Sequence, residues 1–140
     1  MPYKPHFPPT KLVRVFDLII RGGQIVTGQG TNQGDIGILE GKIAEIGDLS
    51  GASSQYTIDA TNLHVLPGGI DTQVHFREPG LTHKEDLESG TRAAIMGGIT
   101  TIFEMPNTDP TTTSEEALNE KLELADGRTW CDYALSLIHI

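Results

Sequence analysis

The sequence holds a single cysteine, Cys131, so no disulfide can form within these 140 residues. That scarcity fits a reducing compartment, and a cytoplasmic location is expected. Cys131 itself reads as a small buried hydrophobe at a strand start, with no histidine placed to make it a nucleophile. Positive charge is also scarce: 10 Lys and Arg stand against 19 Asp and Glu, a net of −9, with no basic run. Nucleic acid is thereby excluded as an expected partner. No apolar stretch approaches the ~18 residues that a membrane span needs. The opening MPYKPHFPPTKLVRVF places prolines where a signal peptide has its apolar centre, so no export signal is expected. The length suits one ordinary domain with its own core.

Turn chemistry organises what is present. Residues 1–15, with four prolines and three basic residues, read as an irregular arm in which His6 is solvated. From Phe16 the chain turns to short strands. FDLIIRGGQIVTG predicts a hairpin, strands 16–21 and 24–27 about a Gly22-Gly23 turn, and GTNQG a loop. DIGILEGKIAEIGD predicts a second hairpin that turns at Glu40-Gly41; YTIDAT and LHVLPG add two strands. Many short strands with Gly-rich turns predict a small β-sandwich or roll over residues 16–66, and His64 within it reads as structural.

Past residue 66 the pattern alternates. A helix is expected from Lys84 to Met96, with Thr82 and Glu85 at capping-box spacing and Gly97-Gly98 as its stop. The charged start His83, Lys84, Glu85 and Asp86 reads as a solvated first turn. ITTIFEMP predicts a strand over 99–105. Ser114 caps a second helix whose Leu118, Leu122 and Ala125 mark its apolar face, and WCDYAL opens a third strand. Strand, helix, strand, helix, strand predicts parallel βα units. A complete (β/α)8 barrel takes about 250 residues, so residues 67–140 have room for two to three units of eight. The expectation is a truncated chain, with residues 136–140 suspect and His139 no ligand.

The stretch Leu66–Pro79, LPGGIDTQVHFREP, carries the chemistry. Strand alternation sets Ile70, Thr72, Val74 and Phe76 on one face, and Asp71, Gln73, His75 and Arg77 on the other. A row of acid, amide, imidazole and guanidinium is costly to bury unless its groups are paired or bound, so it reads as the lining of a site. Barrel active sites sit at the carboxyl ends of strands; a second such end supplies Glu104, Pro106, Asn107 and Thr108.

Asp-x-His-x-His at a first barrel strand is the metal signature of the amidohydrolase superfamily. DTQVHFREPG followed by LTHKED resembles its cyclic amidohydrolase branch, dihydroorotase most of all, with Gln73 standing where that pattern has its first histidine. The resemblance implies an α/β chain, the N-terminal part of a composite β-sandwich lobe followed by the start of a metal-dependent (β/α)8 barrel. It implies zinc, one or two ions, with His75 as ligand, Gln73 as a weak ligand and Asp71 orienting a ligand. His75-Phe76-Arg77 and Met105-Pro106-Asn107-Thr108 resemble the motifs that hold the substrate carboxylate, giving Arg77 and Asn107 that role. The implied reaction opens the cyclic amide of dihydroorotate to N-carbamoyl-aspartate, with no catalytic residue inside these 140 residues, so the chain by itself is expected to be inactive. Two alternatives stand beside it. One is an allantoinase- or hydantoinase-like enzyme. The other, motivated by Gln73, is a non-catalytic subunit partnering aspartate carbamoyltransferase; a homo-oligomer is a further expected assembly.

Overall fold

The computed structural model describes residues 15–137. The expectations for residues 1–14, including His6, and for His139 lie outside the described residues. The chain divides between Pro67 and Gly68 into two compact units.

The first unit is one sheet built from β1 (Val15–Thr27), β2 (Gly30–Leu39), β3 (Lys42–Gly47), β4 (Ser53–Asp59) and β5 (His64–Val65). Strand order is β3-β2-β1-β4, with β5 also beside β1. The Gly22-Gly23 pair does not turn the chain. It forms a bulge in a continuous 13-residue β1, with Gly22 at φ 68° and its N–H donating to Asp35 Oδ1 at 2.8 Å. The hairpin closes later, at Gly28-Gln29, and GTNQG is strand, with Asn32 beside Ile25 and Gln33 beside Gln24. Pairing along the strand outweighed the local turn signal of two glycines. The Glu40-Gly41 turn lies where the sequence places it, both residues left-handed at φ 51° and 71°. Phe16, Ile19 and Leu49 form the buried cluster, and Phe16 fits because Gly37 has no Cβ to meet its ring. Arg21 ties the 48–52 loop down through the carbonyls of Leu49 (3.0 Å) and Ala52 (2.9 Å). Among the described residues this unit is a single layer, and its outer strands expose Ile43, Ile46, Tyr56 and Ile58.

The second unit is a parallel sheet, β6-β7-β8, made of β6 (Gly69–Val74), β7 (Ile99–Glu104) and β8 (Asp132–Leu135). Helices α1 (Leu87–Met96) and α2 (Glu115–Ala125) provide the two crossovers. Phe76, Leu87, Ile102 and Ala125 form the core. Gly90 on α1 makes room for Phe76, whose ring lies 2.5 Å from where a Cβ would stand.

The start of α1 differs from expectation. The helix begins at Leu87, not Lys84, and its capping box is Asp86 with Ser89, not Thr82 with Glu85. Two acids fix that point: Glu78 Oε2 accepts the Leu87 N–H at 2.8 Å and Asp86 Oδ1 accepts the Ser89 N–H at 2.7 Å. The Ser89 backbone bond also holds the Asp86 carboxyl below the ordinary aspartate range. In α2, Ser114 caps through the Ala117 N–H as the sequence predicts. Its buried face is Lys121 and Ala125, while Leu122 stays 39% exposed. The third strand starts at Asp132 rather than Trp130, because the Trp130 N–H is taken by Thr91 Oγ1 on α1 and Arg92 lies over the Trp130 ring.

Candidate functional site

The carboxyl ends of β6 and β7 bring together the residues singled out in the sequence. The row read from strict alternation is broken twice. Asp71 pairs with Ile102 and Val74 with Glu104, three residues of β6 against two of β7, so one residue is bulged between them. Asp71, Gln73 and His75 are all exposed, while Val74 is half-buried and Phe76 buried. Of the face that holds Ile70, Thr72, Val74 and Phe76, Ile70 is 62% exposed, while Phe76 enters the core and Val74 packs against it. Asp71 Oδ1 accepts the Gln73 backbone N–H at 3.0 Å, so its carboxylate braces the bulge.

The imidazole meets a different group. His75 Nδ1 lies 2.6 Å from Asn107 Oδ1, joining the two strand ends. An amide oxygen only accepts, so in this contact Nδ1 is the donor. The side chain in contact with the His75 ring is thus Asn107, while Asp71, expected to orient a ligand, bonds to the Gln73 backbone. Both side chains of the pair belong to exposed residues at the strand ends. Gln73, also exposed, offers a neutral amide oxygen, a weaker zinc donor than imidazole. This donor set fits one metal ligand well and a second one weakly. Among the described residues no three His, Cys, Asp or Glu side chains converge to complete a site.

Arg77 lies past the end of β6 in the left-handed region, at φ 73°. Side-chain-bearing residues rarely rest there, and such strain collects at functional loops. Its backbone carbonyl accepts the Leu81 N–H at 3.0 Å. No hydrogen bond or ion pair holds its half-buried guanidinium among the described residues.

The two loops that follow the strands are locked together. The Asp109 N–H donates to the Pro79 carbonyl at 3.1 Å, and Gly80, at φ 92°, passes so close that a Cβ would stand 1.9 Å from the Asp109 carbonyl oxygen. Thr108 is buried and bonded to the Pro110 carbonyl and to Thr112, and buried Pro106 accepts the Thr112 N–H. Of the second strand end, only Asn107 is presented outward; Pro106 and Thr108 build the loop.

Glu104, read in the sequence as a strand-end candidate, points the other way. It is fully buried, with Oε2 on Lys121 Nζ at 2.6 Å and Oε1 on the Phe76 N–H at 3.0 Å. Lys121 and Glu78 are the groups the sequence reading missed. Buried Glu78 receives both guanidinium nitrogens of Arg128, at 2.8 and 3.3 Å, and the Arg128 pKa is raised, chiefly by that hydrogen bond. The available signal for Lys121 was its place four residues before Ala125 on the inward stripe of α2. Cys131 is partly buried, and burial together with the Asp132 carboxylate pushes its thiol up, against a nucleophilic role.

Allantoinases from Rubrobacter xylanophilus and Deinococcus radiodurans are 48% and 39% identical to this chain, over 122 and 120 residues. Those matches take in 86% and 85% of the chain but only 26% and 27% of the relatives' own lengths. The L-hydantoinase (dihydropyrimidinase) of Arthrobacter aurescens superposes with a TM-score of 0.82 at 38% identity, over 86% of this chain and 27% of that one. A D-hydantoinase from Thermus sp. gives 0.71 at 35%, with the same shares. This chain therefore spans about a quarter of the length of the relatives it matches. The amidohydrolase family profile matches residues 64–135, half of the chain, and the chain belongs to the amidohydrolase family.

Proposed function

We propose that the protein serves metal-assisted hydrolysis of a cyclic amide, a ring ureide of the allantoin or hydantoin type. The observation that carries this reading is the His75–Asn107 bond, which fixes an outward imidazole with Nε2 available at a barrel-type strand end. His75 would be a zinc ligand and Gln73 a weak second one, with one or two ions completed by ligands from outside the described residues. The metal supplies Lewis acidity and an activated water; these residues supply a ligand in a fixed tautomer. The second unit is then the opening of a (β/α)8 barrel, and the first a layer of a β-sandwich lobe. The allantoinase and hydantoinase relatives favour this substrate class over dihydroorotate.

A second reading keeps dihydroorotate, a ring ureide bearing a carboxylate. The unpaired, strained Arg77 guanidinium supports it, because a planar fork suits a carboxylate. The test is a substrate panel on the full-length protein with added zinc: allantoin, hydantoin, dihydrouracil and dihydroorotate. Turnover of the uncharged rings supports the first reading. Preference for dihydroorotate that disappears in Arg77→Ala supports the second. A folded protein inert to all four removes both and leaves the non-catalytic partner of aspartate carbamoyltransferase.

A further inference from the structure

The Lys121–Glu104 pair is fully buried on both sides, at 0% exposure each. Burying two charges is expensive, and a well-packed apolar pair is often as stable, so such a pair is weak support for a stabilising role. What it touches points elsewhere. Glu104 Oε1 receives the N–H of Phe76, the residue after His75. Lys121 Nζ donates to the carbonyl of Met105, two residues before Asn107, at 3.1 Å. A single ion pair thus grips both strand ends from beneath, one backbone contact on each. The two side chains displayed above are those that must meet within 2.6 Å.

We infer that Lys121 and Glu104 are positioning residues whose buried pair sets the distance between His75 and Asn107, and through it the tautomer and aim of the His75 ring. This rests on the reading of His75 as a metal ligand, but its test does not depend on turnover. In full-length protein, imidazole nitrogen NMR of His75 is expected to show hydrogen on Nδ1. The Phe76 amide is expected to exchange with solvent at the slow rate of the core. The decisive variant is Glu104→Leu with Lys121→Met, which replaces the pair by apolar groups of similar volume. It is expected to fold with a lowered midpoint, because the Phe76 N–H and the Met105 carbonyl lose their side-chain partners, and to show mixed His75 tautomers and ~10–100-fold weaker zinc binding, the usual loss when a group behind a ligand is removed.

A double variant with wild-type tautomer and zinc affinity overturns the inference, because the pair would then be packing alone. Should the variant not fold, the unaltered protein still decides: a Phe76 amide exchanging at loop rates shows no grip from Glu104. Wild-type protein inert to every ring substrate, but with the tautomer lost in the double variant, leaves the positioning intact while the hydrolase reading fails.

Discussion

Replacing Gly80 by Ala tests the lock between the two loops that carry Arg77 and Asn107. Two penalties act together. At φ 92° an L side chain is strained, at about 1–3 kcal/mol. The new Cβ would also stand 1.9 Å from the Asp109 carbonyl oxygen, a backbone atom that cannot swing aside. Forcing the loops apart costs about 1–3 kcal/mol as overpacking. It also endangers the Asp109 N–H to Pro79 bond, worth about 0.5–1.5 kcal/mol. The stiffer unfolded chain returns about 0.4–1 kcal/mol. The net expectation is a loss of about 2–7 kcal/mol, a large share of an ordinary domain's stability. Gly98 provides the control: its φ is 85°, and nothing lies within 4 Å of where a Cβ would stand, so Gly98→Ala carries the backbone strain alone. Urea denaturation of both variants in the full-length protein separates the terms. Gly80→Ala costing no more than Gly98→Ala would refute the close approach of the loops.

Four further outcomes follow from the same geometry. Arg77→Gly should stabilise the fold or leave it unchanged by relieving the φ 73° strain, while raising KM for a carboxylate-bearing ring; a clear fall in denaturation midpoint would show the strain to be absent. Asn107→Ala should cut zinc affinity ~10–100-fold in competition with a chelating indicator, with stability within about 0.5 kcal/mol because the residue is exposed. Asp86→Ala should cost about 1 kcal/mol through the lost cap of α1. The Asp86 carboxyl is held below its unfolded value of about 3.9, so the cap's contribution is complete above that pH and lost as pH falls through the folded value. The gap between variant and wild type should therefore close in acid melts. Cys131, its thiol pushed up by burial, should be alkylated more slowly in the native protein than free cysteine at pH 7.5; an equal rate would contradict its packing against the core.

Much of the second unit was legible because its signals are local. Ser114 caps α2 through a bond that needs only the next three residues, and the β-branched run at 99–104 forms a strand without competition. The errors arise where a distant partner decides. Gly22-Gly23 carries a turn signal, yet Asp35, thirteen residues on, takes the Gly22 N–H and holds β1 continuous. Thr82 and Glu85 have capping-box spacing, yet buried Glu78 claims the Leu87 N–H and starts α1 later.

The candidate site shows the same division at finer grain. Residue types at 73, 75, 77 and 107 mark the candidate site, but the period-two rule that grouped the first three with Asp71 assumes a regular strand. A register shift interrupts β6 between Asp71 and Val74, and Arg77 lies past the strand's end in the left-handed region. The alternation then says nothing about which side chain contacts His75. That contact comes from the loop after the neighbouring strand, at a separation of 32 residues. Beneath it lies a lysine on a helix whose leucines suggested a different inward face. Apolar periodicity finds the face that excludes water; it is blind to a charge that is buried because an opposite charge awaits it. Lys121 becomes readable only once Glu104 is known to point toward α2. In this family member the chemistry of the strand ends is therefore written in the exposed residues, and their geometry in the buried ones.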